Sequence, residues 1–347
     1  MKRISIAMVA LLVAGGFVFA GGSAEKSASS GAAVNIVSMV DESAQTPIAD
    51  LESSLGTPTV PNGAKFAYVT RTLSNEFWRY ESDGFTSEAK KLGVTAQVYA
   101  VTNEASITEQ LDKAQSAAEQ GFTALMASPI SATALDSVFK AELAKGVPCI
   151  ILNDARGTLP GVVYIGPDAL KIGATAAAYI AKLLPNGGNV AMIEGDPGSS
   201  NARNRGIGFK QELAKHPNLT LVGSQTAMWD ENQAKTIATA MLTAHPDIKA
   251  FYAQNDVMGL GVEAAIAEKG LTGKVLLVGT DGIPQAKKEI AAGKYTATVS
   301  ERPTTEGETG VEAALWLLEG KKLPGWIEVP AILIDKSNVS EYMNGMP

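Results

Sequence analysis

Residues 250–281 read AFYAQNDVMGLGVEAAIAEKGLTGKVLLVGTD, and their pattern determines the fold class. The apolar run 250–253 predicts a short buried strand, residues 259–267 predict a helix, and the apolar run 275–278 predicts a second strand. Two strands joined by a helix of this length form a right-handed crossover between parallel neighbours. The stretch therefore predicts one unit of an α/β protein with a parallel sheet.

The same alternation continues on both sides of this unit. Phe85, Ala89 and Leu92 share one face of a predicted helix that Gly93 ends, and the capping-box pattern at residues 106–109 opens the next. Two runs, each of about a hundred residues, predict two doubly wound parallel-sheet domains. A TIM barrel is the rival architecture, and the number of predicted strands disfavours it. Further strands are predicted at residues 66–69, 94–100, 122–127, 148–152, 189–193 and 219–222.

The composition excludes several classes of protein. The chain has 347 residues and a formal net charge of -7, which argues against broad nucleic-acid binding because that activity needs surplus cations. The single cysteine, Cys149, allows no internal disulfide and no thiolate metal cage. Only His216 and His245 are available as imidazoles, and proline follows each of them. The sequence therefore predicts neither a metal site nor a cofactor.

The N-terminal residues look like an export signal. Lys2 and Arg3 precede an apolar run, and Val18 with Ala20 fits the small-residue rule for cleavage after Ala20. Residues 1–20 therefore predict a cleavable signal peptide, with a retained N-terminal anchor as the alternative. Residues 21–63 begin with glycine, serine and alanine and end in turn residues, so they predict a low-complexity tether. Within it, residues 34–55 could form a short strand or helix, but their period is unclear and they are left unassigned.

Polar and aromatic side chains follow the predicted strand ends in both halves of the chain. Ligands of open parallel sheets bind beyond the carboxyl ends of the strands. A sugar hydroxyl needs converging carboxylates, amides and guanidinium groups, and the apolar face of the ring packs on a flat aromatic side chain. The alternative for each Asp or Asn is that it caps the following helix. The candidate residues of this crevice are Arg71, Asn75, Phe77, Trp78, Asn153, Asp154, Trp229, Asn255, Asp281 and Glu301.

Several of these stretches resemble the ribose-binding-protein-like family of periplasmic sugar-binding proteins, the solute receptors of ABC importers. They are TLSNEFW at 72–78, SNARNRGIGF at 200–209, FYAQND at 251–256 and VGTDG at 278–282. The resemblance implies that Trp78 and Trp229 sandwich a sugar ring. It also implies that Arg203 and Asp281 bind adjacent hydroxyls, with Asn255 between them. Asn75 and Phe77 would contact the sugar from the first domain.

The sequence also departs from that family's pattern. Arg71 replaces a serine, Asn153-Asp154 replaces Asp-Arg, and Glu301 replaces the hinge glutamine. A site with mismatched buried partners rejects the wrong hydroxyl pattern, so ribose itself is in doubt. A different pentose, a hexose, a deoxysugar or a polyol fits as well, and the carboxylates also suit an amine-bearing ligand.

The resemblance further implies a periplasmic monomer that opens and closes around its ligand and meets the membrane permease of an ABC importer. A sugar sensor that feeds a chemoreceptor is the alternative. Each domain is expected to be built from two segments. These are residues 64–166 with 302–330, and residues 167–301 with 331–347, with three hinge crossings near 166–168, 301–303 and 329–331.

An enzymatic alternative comes from glycines that fit a dinucleotide fingerprint. Gly259, Gly261 and Ala264 match G-x-G-x-x-A, and Asp281 lies at the distance where an acidic residue is expected. The first glycine, however, does not lie at the strand-to-helix turn that pyrophosphate binding needs. An NAD-dependent sugar dehydrogenase is therefore disfavoured. The effector domain of a lactose-repressor-type regulator would need a helix-turn-helix where this chain has an export signal.

Overall fold

The computed structural model of the protein describes residues 35–346. The predicted signal peptide, residues 1–20, and residues 21–34 of the predicted tether lie outside the described residues. The strands are β1 (Val40–Pro47), β2 (Lys65–Thr70), β3 (Thr95–Ala100), β4 (Ala124–Ala127), β5 (Cys149–Leu152), β6 (Val162–Gly166), β7 (Gly188–Glu194), β8 (Leu219–Thr226), β9 (Ile248–Ala253), β10 (Leu276–Asp281), β11 (Ala297–Ser300), β12 (Leu323–Glu328) and β13 (Ile332–Asp335). The helices are α1 (Ile48–Leu55), α2 (Glu76–Leu92), α3 (Ile107–Glu119), α4 (Asp136–Ala144), α5 (Ala169–Leu183), α6 (Ser200–Leu213), α7 (Glu231–Ala244), α8 (Asp256–Glu268), α9 (Pro284–Ala292) and α10 (Pro303–Leu318).

The strands form two sheets, which confirms the predicted fold class. The first sheet has the order β1-β12-β6-β5-β4-β2-β3, and every neighbouring pair is parallel. The second has the order β13-β11-β10-β9-β7-β8 and is parallel except for β13, which runs antiparallel to β11. We call the first sheet with α1–α4 and α10 the first lobe, and the second sheet with α5–α9 the second lobe.

The chain passes between the lobes three times. It leaves the first sheet after β6, returns after β11 into α10, and leaves again between β12 and β13. We call these three crossings the hinge. The carboxyl ends of the parallel strands in both sheets lead into the loops that carry the candidate residues, so the topology directs those residues to one region.

Central strands are apolar throughout because helices cover both faces of each sheet. In the first lobe all four residues of β4 and all four of β5 are buried. In the second lobe Phe209 from α6 stacks on Tyr252 from β9 with ring centroids 4.8 Å apart. Each fully buried side chain of this size contributes about 1.5–3 kcal/mol, and the helix–sheet packing thereby fixes where the strand ends lie.

The tether prediction is wrong for residues 36–56. Strand β1 pairs with β12 at the edge of the first sheet, and Ile48 and Leu51 of α1 are buried in the first lobe. The indole nitrogen of Trp316 donates to the carbonyl of Gly56 at 3.0 Å. The sequence concealed this strand because only Val40 of its residues is buried, so its pairing depends on the backbone rather than on an apolar pattern.

The helix-terminus predictions had mixed outcomes. Gly93 ends α2 in the left-handed conformation with φ of 80°, as predicted. Ser106 does precede α3, but its side chain makes no capping hydrogen bond. Glu109 instead accepts from the backbone nitrogen of Thr102 at 3.0 Å and from its hydroxyl at 2.7 Å. The acidic residue of the predicted capping box therefore fastens the preceding loop.

Candidate functional site

A cavity of about 40 Å³ lies between the two lobes at the strand ends. That volume is below the usual range of small-molecule sites, so the lobes meet closely around it. Residues from both lobes line the cavity. They are Arg71, Asn75, Phe77, Trp78, Glu104, Asn153, Asp154, Asn201, Arg205, Trp229, Asn255 and Asp281.

Three aromatic side chains give the cavity its apolar surface. Phe77 and Trp78 begin α2, and their rings meet edge to face with centroids 4.8 Å apart. These two side chains pack with the apolar cluster of the second lobe although they belong to the first. Trp229 lies on the opposite side in the loop after β8, where its backbone has a φ of 65°.

Trp229 depends on a glycine for its position. A Cβ atom on Gly195 would lie 2.1 Å from the indole Cη2 of Trp229. No real contact is that short, so the ring occupies space that any other residue at position 195 would fill. The flat indole face on this side of the cavity is thus positioned by the backbone of one loop and the side chain of another.

Asn255 and Asp281 present polar groups from the second lobe. The side-chain oxygen of Asn255 caps α8 by accepting from the backbone nitrogen of Met258 at 2.8 Å. Both the helix-cap and the ligand-binding interpretations therefore fit Asn255, because its amide NH₂ remains for a ligand. Asp281 ends β10 with a φ of 115°. Burial and the neighbouring Glu301 raise the pKa of the Asp281 carboxyl well above its ordinary value.

The arginine in the cavity is Arg205, not the predicted Arg203. The guanidinium of Arg203 is exposed and donates to the carbonyls of Pro197 and Gly198 at 2.9 Å. Two residues along a helix turn a side chain by about 200°, so only one of the two arginines can face the cavity. Arg205 lies in the buried stripe that includes Ala202 and Phe209, and this helical phase is the signal that the sequence prediction did not use.

Arg205 is held by three oxygen atoms. It donates to the backbone carbonyl of Gln254 at 2.6 Å and to the carboxylate of Glu301, and its Nη1 lies 4.0 Å from Asp281. Burial alone would lower its pKa, but Glu301 and Asp281 outweigh that effect and raise it. Glu301 itself does not line the cavity; it is fully buried in the hinge, where it orients Arg205.

Buried carboxyl groups continue behind the cavity into the first lobe. The amide nitrogen of Asn153 donates to Glu301 at 2.9 Å and to Glu306 at 3.1 Å. Burial and the adjacent Glu81 raise the pKa of Glu306 well above its ordinary value. Burial raises the pKa of Glu81 itself to about 7, against the hydrogen bonds from Tyr68 and Ser128.

Arg71 and Asp154 form a buried ion pair in the first lobe. The guanidinium donates to the Asp154 carboxylate at 3.0 Å and to the carbonyl of Pro129 at 2.5 Å, and its carbon lies 4.8 Å from the ring centroid of Trp78. Burial alone would raise the pKa of Asp154, but Arg71 and the hydroxyls of Ser200 and Ser199 hold it below its ordinary value. Both predicted residues therefore line the cavity, with Asp154 as a charged carboxylate.

Glu104 is a cavity residue that the sequence analysis missed. It follows β3, and its carboxylate accepts from the side-chain nitrogen of Asn75 at 2.7 Å and from the indole nitrogen of Trp78 at 3.0 Å. The oxygen of Asn75 caps α2 through the backbone nitrogen of Phe77 at 3.0 Å. The signal was available, because Glu104 lies just beyond a strand end like the residues that were predicted.

The glycines of the dinucleotide fingerprint have a packing role. Gly259 and Gly261 lie inside α8, after its cap at Asn255, and so are not at the strand-to-helix turn. A Cβ on Gly259 would lie 1.9 Å from the hydroxyl of Tyr295, and one on Gly261 would lie 2.1 Å from a backbone oxygen of α7. The close approach of these elements explains both glycines without a cofactor.

Within residues 35–346 no group of three or more histidine, cysteine, aspartate or glutamate side chains has the arrangement of a metal site. None of the helices in that range combines the length and apolar character that crossing a bilayer requires.

Comparisons with known proteins agree with this architecture. The D-allose-binding periplasmic protein of Escherichia coli (strain K12) is 36% identical over 259 residues, which cover 72% of this chain and 83% of that protein. The ribose import binding protein RbsB of the same strain is 35% identical over 271 residues, covering 78% and 90%. An ABC transporter periplasmic solute binding protein from Actinobacillus succinogenes 130z, solved with bound D-allose, has a TM-score of 0.76 at 29% identity and covers 80% of this chain and 100% of that one.

The family model supports the same conclusion over most of the chain. The model described as the periplasmic binding protein domain matches residues 66–322. That range contains every residue that lines the cavity. The segment with β1 and α1 precedes the matched range. With two α/β lobes, a hinge of three crossings and this match, the chain belongs to the periplasmic binding protein domain family.

Proposed function

We propose that this protein is an extracytoplasmic receptor that binds a sugar or polyol and delivers it to the permease of an ABC importer. The observation that carries the proposal is the cavity between the lobes, where Trp78 and Trp229 accompany Arg205, Asn255 and Asp281. Flat aromatic faces beside convergent charged and amide groups are what a polyhydroxylated ring requires. The function is binding and release, not catalysis.

The two lobes contribute different groups to the ligand. Trp78 and Trp229 cover the faces of the ring. From the second lobe, the amide of Asn255 and the guanidinium of Arg205 donate to hydroxyl oxygens, and Asp281 accepts from hydroxyl hydrogens. From the first lobe, Glu104 supplies an acceptor at the edge of the ring. Glu301 acts indirectly by holding Arg205.

The charge distribution narrows the class of ligand. Both arginines are already neutralised, Arg71 by Asp154 and Arg205 by Glu301. The carboxyl groups that remain toward the cavity are Glu104 and Asp281. A ligand carboxylate or phosphate would lie beside the Glu104 carboxylate in a desolvated site where both arginines are already paired, which is unfavourable. The ligand is therefore a neutral sugar or polyol, or one that carries an amine, and not a sugar acid or sugar phosphate.

Closure follows from the placement of these groups in two lobes. A ligand that contacts both lobes binds the closed form more tightly than the open form, and this difference in affinity drives closure. The three crossings of the hinge are the segments that absorb the movement. The closed shape is what the permease recognises.

The relatives are named for different ligands, and these ligands indicate which compounds a binding screen should include. Besides the proteins named for D-allose and ribose, a xylitol-binding protein from Mycolicibacterium smegmatis is 30% identical over 271 residues. A thermal-shift screen of aldoses, ketoses, polyols, amino sugars and sugar acids, followed by titration calorimetry, would identify the ligand because a ligand of the native state raises its stability. We expect at least one neutral or amine-bearing compound to bind. Binding restricted to sugar acids or phosphates would contradict the proposal.

Export to the periplasm is part of the same proposal. Membership of this family and the residues before position 21 both support it. We propose that the signal peptide is removed after Ala20, so the mature chain begins at Gly21. Intact-mass measurement of protein recovered from the cell envelope tests this, and retention of Met1 would favour the membrane-anchor alternative.

A further inference from the structure

Asp154 accepts more hydrogen bonds from the second lobe than from its own lobe. It lies in the loop after β5 of the first lobe, yet its carboxylate accepts from the hydroxyl of Ser199 at 2.7 Å and from that of Ser200 at 2.6 Å. The backbone nitrogen of Asn201 donates to the same carboxylate at 3.1 Å. These three donors all belong to the N-terminus of α6 in the second lobe.

The other hydrogen bonds that Asp154 accepts come from its own lobe. Arg71 donates to Oδ2 at 3.0 Å, and the backbone nitrogen of Ala155 donates to Oδ1 at 2.6 Å. Five donors therefore surround two oxygen atoms, and the side chain is only 3% exposed. A carboxylate accepts about four hydrogen bonds, so little capacity remains for a ligand hydroxyl.

The N-terminus of α6, which Asp154 contacts, is a favourable place for a negative charge. The first backbone N–H groups of a helix have no partner within the helix, and the helix dipole places positive potential there. The adjacent Asn153 reinforces the contact by accepting from the side chain of Asn201 at 2.9 Å. Helix α6 also carries Arg205, so whatever fixes its start relative to the first lobe also sets the distance across the cavity.

We propose that Asp154 is a positioning residue that latches the lobes together. Its contacts with α6 exist only when the lobes are closed, so they stabilise the closed form whether or not a ligand is bound. The ligand then has to convert fewer molecules from the open to the closed form. Its apparent affinity therefore rises with the fraction of protein that is already closed. The effect on affinity rests on the proposed binding function, whereas the effect on lobe closure does not.

The test removes, in separate variants, the acceptor and one of the donors of these contacts between the lobes. Asp154→Ala removes the acceptor, and Ser200→Ala removes one donor from a side chain that does not line the cavity. Ser106→Ala is the matched control, because that serine also precedes a helix but makes no side-chain cap hydrogen bond there. Small-angle X-ray scattering of the ligand-free proteins measures closure, and titration calorimetry with the compound identified in the screen measures affinity.

We expect Asp154→Ala and Ser200→Ala to increase the ligand-free radius of gyration, and saturating ligand to restore the compact value. The affinity of Asp154→Ala should fall at least tenfold, that of Ser200→Ala should fall less, and the control should match the parent protein. A loss of affinity in Asp154→Ala with unchanged ligand-free dimensions would mean that Asp154 binds the ligand directly, and the proposal would be wrong. Unchanged dimensions in both variants would also overturn it. Because the scattering comparison needs no ligand, it decides the latch even if the screen finds no sugar.

Discussion

Asp281 combines a buried position with a carboxylate that the protein leaves largely free. The nearest cation is Arg205 at 4.0 Å, and burial keeps the pKa of Asp281 high. In a site of this kind a ligand hydroxyl can share the proton of the carboxyl group or donate to its charged form. Asp281 is therefore the residue on which the proposed binding function depends most.

Replacement of Asp281 by alanine is expected to weaken ligand binding severely. Truncating a buried side chain that faces both the ligand and the charged Arg205 costs roughly 2–5 kcal/mol in a closed site, which is more than a tenfold loss of affinity. Titration calorimetry on Asp281→Ala measures this. Asp230→Ala is the control, because Asp230 caps α7 through the backbone nitrogen of Gln233 and does not line the cavity. If the Asp281 variant binds like the parent, our assignment of the crevice is wrong.

The position of Trp229 leads to a second prediction. In Gly195→Ala the new methyl group meets the indole at 2.1 Å, so the ring must move out of its place in the cavity wall. We expect the affinity for the ligand to fall at least tenfold, with the fluorescence of the protein changed as well. Gly198→Ala in the same loop is the control, since its nearest neighbours are atoms of the flexible Asp196 side chain. Equal affinities of the two variants would show that Trp229 does not contact the ligand.

Single residues also show where prediction from sequence stops. Strand-end position identified Asn255 and Asp281 because chain topology alone brings such residues to one edge of a sheet. Choosing between Arg203 and Arg205 needed the rotational phase of α6, which its N-cap at Ser199 sets. The partners of Asp154 lie 45 and more positions away in the other lobe, and no spacing in the sequence encodes such contacts.

At the level of elements, α1 tests whether the segment before the matched range contributes to the stability of the folded protein. Leu51 of α1 is buried in the first lobe, so Leu51→Ala should lower the free energy of unfolding by about 2–5 kcal/mol. Urea denaturation measures the change. Ser53→Ala on the exposed face of the same helix should alter stability by less than about 0.5 kcal/mol. Equal effects of the two substitutions would restore the tether interpretation for this segment.

Elements were predicted well where periodicity and burial agree. Most helices and strands between positions 65 and 281 have apolar faces that pack, so their pattern reveals them, whereas β6, α9 and β11 were not predicted. Strand β1 lies at an edge, with one neighbour and mostly solvated side chains. Its stability comes from backbone pairing with β12, which follows it by more than 270 positions, and a local pattern cannot report such a partner.

For the whole molecule, buried carboxyl groups make stability depend on pH in an unusual direction. Burial raises the pKa of both Glu81 and Asp256 to about 7, from ordinary values of 4.5 and 3.8. Between those ordinary values and about 7, the folded state keeps protons that the unfolded state has lost. Stability is therefore greatest at the acidic end of this window and falls as pH rises, by up to about 1.4 kcal/mol per pH unit for each group.

We accordingly expect a higher melting temperature at about pH 5.5 than at about pH 8. Glu81→Gln should reduce that difference because the amide keeps the shape of the side chain without titrating. Asp83→Asn, on the exposed side of the same helix, should leave it unchanged. Differential scanning calorimetry at both pH values decides this, and an undiminished difference in Glu81→Gln would show that Glu81 is not one of the groups responsible.

The whole molecule was predictable as two α/β lobes because its alternation is regular over more than two hundred positions. The arrangement of the cavity was predictable only as a set of residue types. Some carboxylates remain free, whereas others pair with Arg71, with Arg205 or with the start of α6. The way in which the two lobes meet determines which carboxylates are paired. That geometry arises from packing across the hinge and not from either lobe alone.

Cys149 gives the molecule a practical property. It is the only cysteine of the chain, it lies fully buried in β5, and burial raises the pKa of its thiol well above the ordinary value. Maleimide reagents attack exposed thiolates, so they should not react with Cys149 under native conditions. A single replacement such as Leu73→Cys, at an exposed site in the loop that leads to Trp78, would then carry an environment-sensitive dye at one defined point. The native receptor is in this respect already prepared to become an optical biosensor for its own ligand.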